Sequence, residues 1–313
     1  MLKIIVCIKQ VPETQEVRLD PVTHTLKREG IAAIINPFDL YALEEGLRVK
    51  ESQGGRVTVL TMGPPQAEAA LREALGYGAD AAVLLSDKAF AGADTWATAL
   101  TLARAIDKLG GADLIFCGKQ AIDGDTAQVG PMLATVLDLP YAAWARKLTF
   151  GEGGALTVER LLDHGYDAVE VSLPALITVV KEINEPRVPS FKAKLKAKKE
   201  PVPVWGPADL GLAPEEVGLA GSFTQVVKVF PPPARGQSET WEGHSPELAA
   251  RLWRRLKEMS MAAVESRRPC QLLNRRGRRF YIFSRSQAHA WERPFDQSSG
   301  FGNGRGTACC APG

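Results

Sequence analysis

The chain has 313 residues, 45% of them hydrophobic and 24% charged, enough to bury a full core with the composition of a soluble globular protein. No run approaches the roughly 18 apolar residues of a membrane span, and four scattered histidines and five cysteines without framework spacing argue against a metal site or a disulfide scaffold. The net charge of +2 joins unlike parts: residues 263–313 hold nine Arg, no Lys and three acids, whereas residues 1–262 hold 16 Lys and 13 Arg against 33 acids.

Residues 3–8 form a first strand, with a lysine inside the apolar run and no small-residue cleavage site, so the reading is a strand rather than a signal peptide and the expectation a cytoplasmic protein. No Gly-x-Gly-x-x-Gly and no Walker loop follow it. Val17 to Pro21 and Thr25 to Gly30 flank a turn and predict a polar hairpin. Asn36 before Pro37 marks a helix start, because proline at the first helical position forfeits no hydrogen bond. Val57 to Met62 and Ala81 to Ser86 are strands, each followed by a helical pattern, the second with Asp94 or Thr95 as its cap.

A fourth strand, Asp113 to Cys117, runs into Gly118-Lys119-Gln120-Ala121-Ile122-Asp123-Gly124-Asp125-Thr126-Ala127-Gln128-Val129-Gly130 and then an apolar-periodic helix from Met132. The first N–H groups of a helix lack partners and carry partial positive charge, which suits a phosphate. Asp125 or Thr126 is placed to cap that helix, and Gly118, Gly124 and Gly130 let the backbone approach a ligand. Taken alone, an ordinary capped loop explains the pattern. Strands alternating with helices imply right-handed crossovers and a parallel sheet, whose ligands sit beyond the carboxyl ends of the strands. Cys7, Met62, Ser86 to Thr95 and Cys117 to Gly130 then share one edge, and a nucleotide-type ligand becomes the favoured reading.

After Pro140 alternating runs at 147–150, 155–160 and 168–173 predict antiparallel strands at one edge, and the continuously apolar 174–180 returns to the central sheet. Residues 184–200 place five lysines beside Phe191 and Leu195. A solvated helix face accounts for this; the sharper alternative is an apolar anchor in a positive ring facing an acidic partner. Residues 201–245 read as an extended arm, 248–256 as an amphipathic helix, and the stretch from about 263 as disordered or as an extension foreign in composition. The Arg275–Arg279 cluster is a weak nucleic-acid signal, and no nucleic-acid partner is expected.

With these residues laid out, residues 1–261 resemble the beta subunit of electron-transfer flavoprotein. The blocks that carry the resemblance are Val6 to Pro12, Asn36 to Asp39, Met62-Gly63-Pro64, Cys117 to Pro131, and Asn184 to Arg187 leading to Lys196 to Lys199. The resemblance implies an α/β fold, a Rossmann-like parallel sheet of the adenine-nucleotide alpha-hydrolase type, with antiparallel edge strands and an extended C-terminal arm. It also implies a heterodimer with an alpha subunit that carries FAD. Residues 1–200 would be the nucleotide- or flavin-binding domain, 184–200 its recognition loop, 201–261 the arm that wraps the alpha subunit, and 262–313 lies outside the resemblance.

Conventional members hold a structural AMP in this subunit; the electron-bifurcating form holds a second FAD that accepts hydride from NADH. The chain is similar to the bifurcating form at Ser86 to Thr98, at Ile122 to Pro131 and at Gly221 to Val226. The implied cofactor contacts are Cys7, Asn36, Pro37, Phe38, Asp39, Met62, Phe90, Asp94, Thr95, Thr98, Gly118, Ala121, Ile122, Asp123, Gly124, Asp125, Thr126, Gln128, Val129 and Gly130. The implied partner contacts are Thr14, Arg187, Phe191 and Leu195, the last two toward an acyl-CoA dehydrogenase-type partner. The family pattern has Leu- or Met-type residues at the anchor, so role rather than identity carries over to Phe191.

This makes the chain an electron carrier, and a NADH-oxidising flavoenzyme only together with the alpha subunit if it bifurcates. No nucleophile and base pair stands out; Asp123 and Asp125 are explained as well by caps and ribose contacts. A universal-stress-type ATP or AMP module and a nucleotide-activating ligase are the rivals, and each lacks its phosphate loop in this sequence.

Overall fold

The computed structural model describes residues 1–13, 33–151, 155–227 and 240–266 and the backbone of 270–273 and 279–282, with side chains described as far as 259. Residues Met1–Pro231 form one compact unit and Pro232–Gly313 another. Thr14, the expected hairpin at 17–30 and most of the expected extension at 262–313 lie outside the described residues.

The first unit is built on β1 (Leu2–Cys7), whose alternate residues are apolar on both sides. Ile4 and Val6 enter one core and Ile5 and Cys7 the other, the period-two signature of a central strand covered on both faces. A short ladder of β2 (Gln10–Pro12) with β3 (Ala33–Ile35) leads into α1 (Pro37–Gln53). Then follow β4 (Gly55–Met62), α2 (Glu68–Tyr77), β5 (Ala81–Leu85), α3 (Thr95–Lys108), β6 (Leu114–Gly118) and α4 (Val129–Val136). Residues of α1 and α2 pack into the core on one face of the sheet, those of α3 and α4 into the core on the other. Ile4, Leu114, Ile115 and Phe116 are fully buried, and each such side chain contributes about 1.5–3 kcal/mol through the area it removes from water.

The chain continues through β7 (Tyr141–Phe150), β8 (Leu156–Leu162), β9 (Gly165–Val171), β10 (Ala175–Val179), α5 (Phe191–Ala197) and β11 (Val204–Trp205). One nine-stranded sheet results, in the order β11-β5-β4-β1-β6-β10-β7-β8-β9. From β1 the chain steps outward through β4 to β5 and then crosses to β6 on β1's other side. That reversal opens a crevice at the carboxyl ends of β1 and β6. The expected α/β class, parallel core and antiparallel edge are present, and β10 enters the central sheet as its apolar run requires.

β7 begins six residues earlier than the alternating pattern from 147 suggests. Its first half pairs parallel with β10 and its second half antiparallel with β8. Trp144 stands at φ 58° where the pairing changes, a left-handed conformation that a bulky side chain seldom adopts, and turns its N–H to Thr178 Oγ1 at 3.1 Å. At the opposite edge β11 pairs with β5, and Leu210, Leu212 and Val217 are buried in the core beside α3 and α4. Residues 201–217, though rich in proline and glycine, are therefore held by the unit's own edge.

In the second unit α6 (Ser245–Ser266) exposes Leu252, Trp253, Leu256 and Met259, and Arg251 lies 4.3 Å over the Trp241 ring. Its β12 (Cys270–Leu273) and β13 (Arg279–Ile282) pair antiparallel. No helix among the described residues is long and apolar enough to cross a membrane.

Candidate functional site

The crevice has a floor of two thiols. Cys7 and Cys117 are register partners at the ends of β1 and β6, both buried and free. The hydrogen bond with Cys7, and then burial, push the Cys117 thiol well above the usual range. A neutral buried thiol of this kind packs as a small hydrophobe and does not act as a nucleophile. Met62 ends β4 beside them, half-buried.

The frame around this floor is polar and internally paired. Asn36, with no exposed surface, does not cap the helix it precedes. Its amide instead donates to the Gln120 carbonyl at 2.9 Å, and its side-chain oxygen accepts from Ile122 N at 3.1 Å. Asp39 accepts from Lys9 N at 2.7 Å and from Gly118 N at 3.2 Å, which joins α1 to the exits of both β1 and β6. Burial pushes its pKa up to about 7, outweighing the bonds from Asn36, Lys9 and Gly118 that favour the carboxylate. A methyl group at Gly118 would collide with the Asp39 carboxylate and with Phe38, so packing by itself requires a glycine here. Pro37 and Phe38 are half-buried in the same turn.

The loop between β6 and α4 projects from this frame. Lys9 Nζ pairs with the Asp123 carboxylate at 2.6 Å, and Gln120 donates to Asp125. Asp125 and Ala127 both stand at φ 53°, and Asp125 N closes a turn onto Ala121 O at 2.8 Å. Asp123, Gly124, Asp125 and Thr126 are exposed, and nothing lies within 4 Å of where a Cβ on Gly124 would stand.

Neither Asp125 nor Thr126 caps α4, contrary to the sequence reading. The helix starts at Val129, three residues before the apolar run from Met132, with Gln128 as its N-cap and no side-chain cap bond, while the Asp125 carboxylate is taken by Gln120. Pro131 carries no N–H and Met132 N is bonded to Gln128 O, so the Val129 and Gly130 amides are what the start of α4 can offer an anion. Gly130 is a packing residue: a Cβ there would lie 2.5 Å from Thr178 Cγ2.

The start of α3 forms the facing wall. Asp94 caps it, accepting from Trp96 N and Ala97 N at 3.0 Å each, as the sequence suggests. The Thr95 hydroxyl reaches Gln128 Oε1 at 3.2 Å and so ties the starts of α3 and α4 together. Thr98 is half-buried one turn further on. Phe90 is buried in the core under α3, so its ring supports this wall without lining it. Two lysines absent from the expected contacts also stand here: Lys9, and Lys119, which lies 4.5 Å over the Trp144 ring at the loop's other side. The one available signal is that each follows closely on a strand end.

The expected partner residues stand elsewhere. Arg187 binds Glu44 at 2.8 Å and Glu51 at 2.5 Å. Burial pushes Glu44 up, but the bonds from Arg187 and Arg48 outweigh it and hold the carboxyl below its usual range. Phe191 is 77% and Leu195 47% exposed on α5. Ala197, at that helix's end, enters the core on the α1 and α2 face, opposite α3 and α4. Arg72 donates to the carbonyls of Ala197, Lys198 and Glu200 and fixes the helix's carboxyl end.

Comparisons with known proteins agree with this geometry. Residues 23–210 match the family described as Electron transfer flavoprotein domain. An electron transfer flavoprotein subunit beta of Thermoanaerobacterium thermosaccharolyticum is 52% identical, over 82% of this chain and 98% of its own length. The caffeyl-CoA reductase-Etf complex subunit CarD of Acetobacterium woodii is 48% identical over the same shares. Protein FixA of Sinorhizobium fredii is 46% identical, over 75% of this chain and 85% of its own length. A family match across the central sheet and this identity over nearly the whole of a named beta subunit place the chain in the electron transfer flavoprotein family, as a beta subunit.

Proposed function

We propose that this electron-transfer subunit is of the electron-bifurcating type, with FAD in the crevice between the α3 and α4 starts and a second FAD on an alpha subunit. The observation that carries the reading is the open space at Gly124 beside the uncapped start of α4. A diphosphate is suited to those free N–H groups, and Thr126 and Gln128 add hydrogen-bonding side chains. Asp123 and Asp125 are suited to ribose hydroxyls. Bound there, FAD supplies hydride and single-electron chemistry. The chain's own groups orient it, bury it and set the polarity around it.

Electrons would pass between NADH, or an acyl-CoA dehydrogenase-type protein, and further redox partners. The relative named for a caffeyl-CoA reductase complex supports a partner acting on a coenzyme A ester. Docking is assigned to Phe191 and Leu195 within the lysines of α5, with Arg187 at the base of the loop. Thr14 is assigned to the alpha-subunit side, and residues 201–261 to the arm that holds that subunit, with 201–217 rooting the arm on the sheet edge.

The test is to co-produce the chain with an alpha subunit and count cofactors by absorbance and extraction. Two FAD per heterodimer is the expected result. One FAD with one AMP would make this the conventional carrier with structural AMP, and no flavin would overturn both.

A further inference from the structure

The carboxylate of Asp94 is shared between two pieces of chain far apart in sequence. One oxygen caps α3. The other accepts from the N–H of Thr224 at 2.9 Å and from its hydroxyl at 3.0 Å. The Asp94 N–H donates to Ser222 Oγ at 2.8 Å, and the Ser222 hydroxyl donates to Gly218 O at 2.7 Å. Just before these, Leu219 N donates to Ala91 O at 3.0 Å, and the Trp96 and Phe223 rings meet at 5.6 Å.

Little apolar burial accompanies the contact. Phe223, Val226 and Val227 are 82%, 78% and 95% exposed. The seating of 219–227 on α3 is thus polar and concentrated on Asp94. Burial pushes this carboxyl up, but its bonds from Ala97, Thr224 and Trp96 hold it below the usual range, so it is charged at neutral pH. Thr95, next to it, binds Gln128 at the start of α4. One unbroken run of contacts therefore leads from the α4 anion site through Gln128, Thr95 and Asp94 to Thr224.

We propose that Asp94 is a positioning residue that couples occupancy of the crevice to the seating of residues 219–227 on α3. The inference rests on the flavin reading and adds to it how the site is linked to the segment that closes its α3 wall. Coupling of this kind is reciprocal: if ligand favours the seated segment, loosening the segment weakens ligand by the same factor.

The experiment uses the chain co-produced with an alpha subunit and depleted of bound nucleotide, with FAD and AMP as probes. Two variants separate latch from cap. Asp94→Asn keeps an oxygen for the Trp96 and Ala97 amides but replaces the acceptor of Thr224 N–H by an amide donor. Thr224→Val removes the hydroxyl from an exposed segment outside α3. Amide exchange in peptides covering 219–227 is followed with and without ligand, beside affinity by fluorescence titration.

In the wild type FAD should slow exchange in 219–227. Asp94→Asn should abolish that ligand-dependent slowing and weaken FAD by about tenfold; Thr224→Val, which keeps the backbone bond to Asp94, should lessen both effects in the same direction, with exchange in α3 unchanged. Unaltered affinity in both variants, with FAD still bound by the wild type, overturns the coupling and leaves the flavin reading standing. A wild type that takes up neither FAD nor AMP overturns both.

Discussion

Asn36 holds Ile122 from a distance of 86 residues: its side-chain oxygen accepts the Ile122 amide at 3.1 Å while its own amide donates to the carbonyl of Gln120, two residues earlier. A residue that opens one helix thereby sets the loop that opens another. Asn36→Ala leaves the partly buried Gln120 carbonyl and Ile122 amide unpaired, which costs about 1–3 kcal/mol. Urea unfolding should show that loss, and titration with FAD or AMP should show weaker binding. Unchanged affinity in a stably folded variant would separate Asn36 from the site.

Gly124 faces open space, so a side chain there is tolerated by the fold. Gly124→Asp should change stability by no more than about 0.5 kcal/mol. It should lower the flavin-to-protein ratio and leave AMP uptake the less affected. Equal flavin content would show that this position does not select the ligand.

Asp39 provides a pH signature. Its folded pKa of about 7 lies above the ordinary 3.8, so between those values the folded protein holds a proton that the unfolded chain has released. Stability from this group therefore falls as pH rises through that window, at a rate of up to about 1.4 kcal/mol per pH unit. Subtracting the Asp39→Asn profile from the wild-type profile of urea midpoints, from pH 4.5 to 8, should isolate a downward slope. A flat difference would contradict the assignment.

Arg187 is the chief partner of a buried carboxylate, with Arg48 as the second. Arg187→Ala should cost about 2–3 kcal/mol and raise amide exchange across 184–190. Loss of stability without local loosening would show that the pair serves α1 alone.

Phe191 is so exposed that Phe191→Ala should leave stability within about 0.5 kcal/mol. Flavin content should stay constant while electron exchange with a dehydrogenase partner slows. Equal rates would remove this residue from the docking surface.

The central strands are legible because a parallel sheet covered on both faces needs nearly continuous apolar runs, and Ile4 to Cys7, Leu114 to Cys117 and Ala175 to Val179, interrupted only by Thr178, supply them. The α3 start was legible because its cap is local: Asp94 binds amides two and three residues on. The first half of β7 was not, since Tyr141-Ala142-Ala143-Trp144-Ala145 has no alternation and no β-branched residue. The α4 cap is not legible because Asp125 is claimed by Gln120 within its own loop and Asp123 by Lys9 from another strand exit, which no helix-start pattern reveals. For the same reason Asn36 reads as an ordinary helix start although its side chain serves a loop that is remote in sequence.

The change of partner within β7 has a mechanical result. Because one strand belongs to both the parallel and the antiparallel part, the β8–β9 hairpin and the crevice at β1 and β6 are parts of a single hydrogen-bonded plank. A load on the hairpin is therefore carried through one continuous ladder of strands to those that frame the crevice.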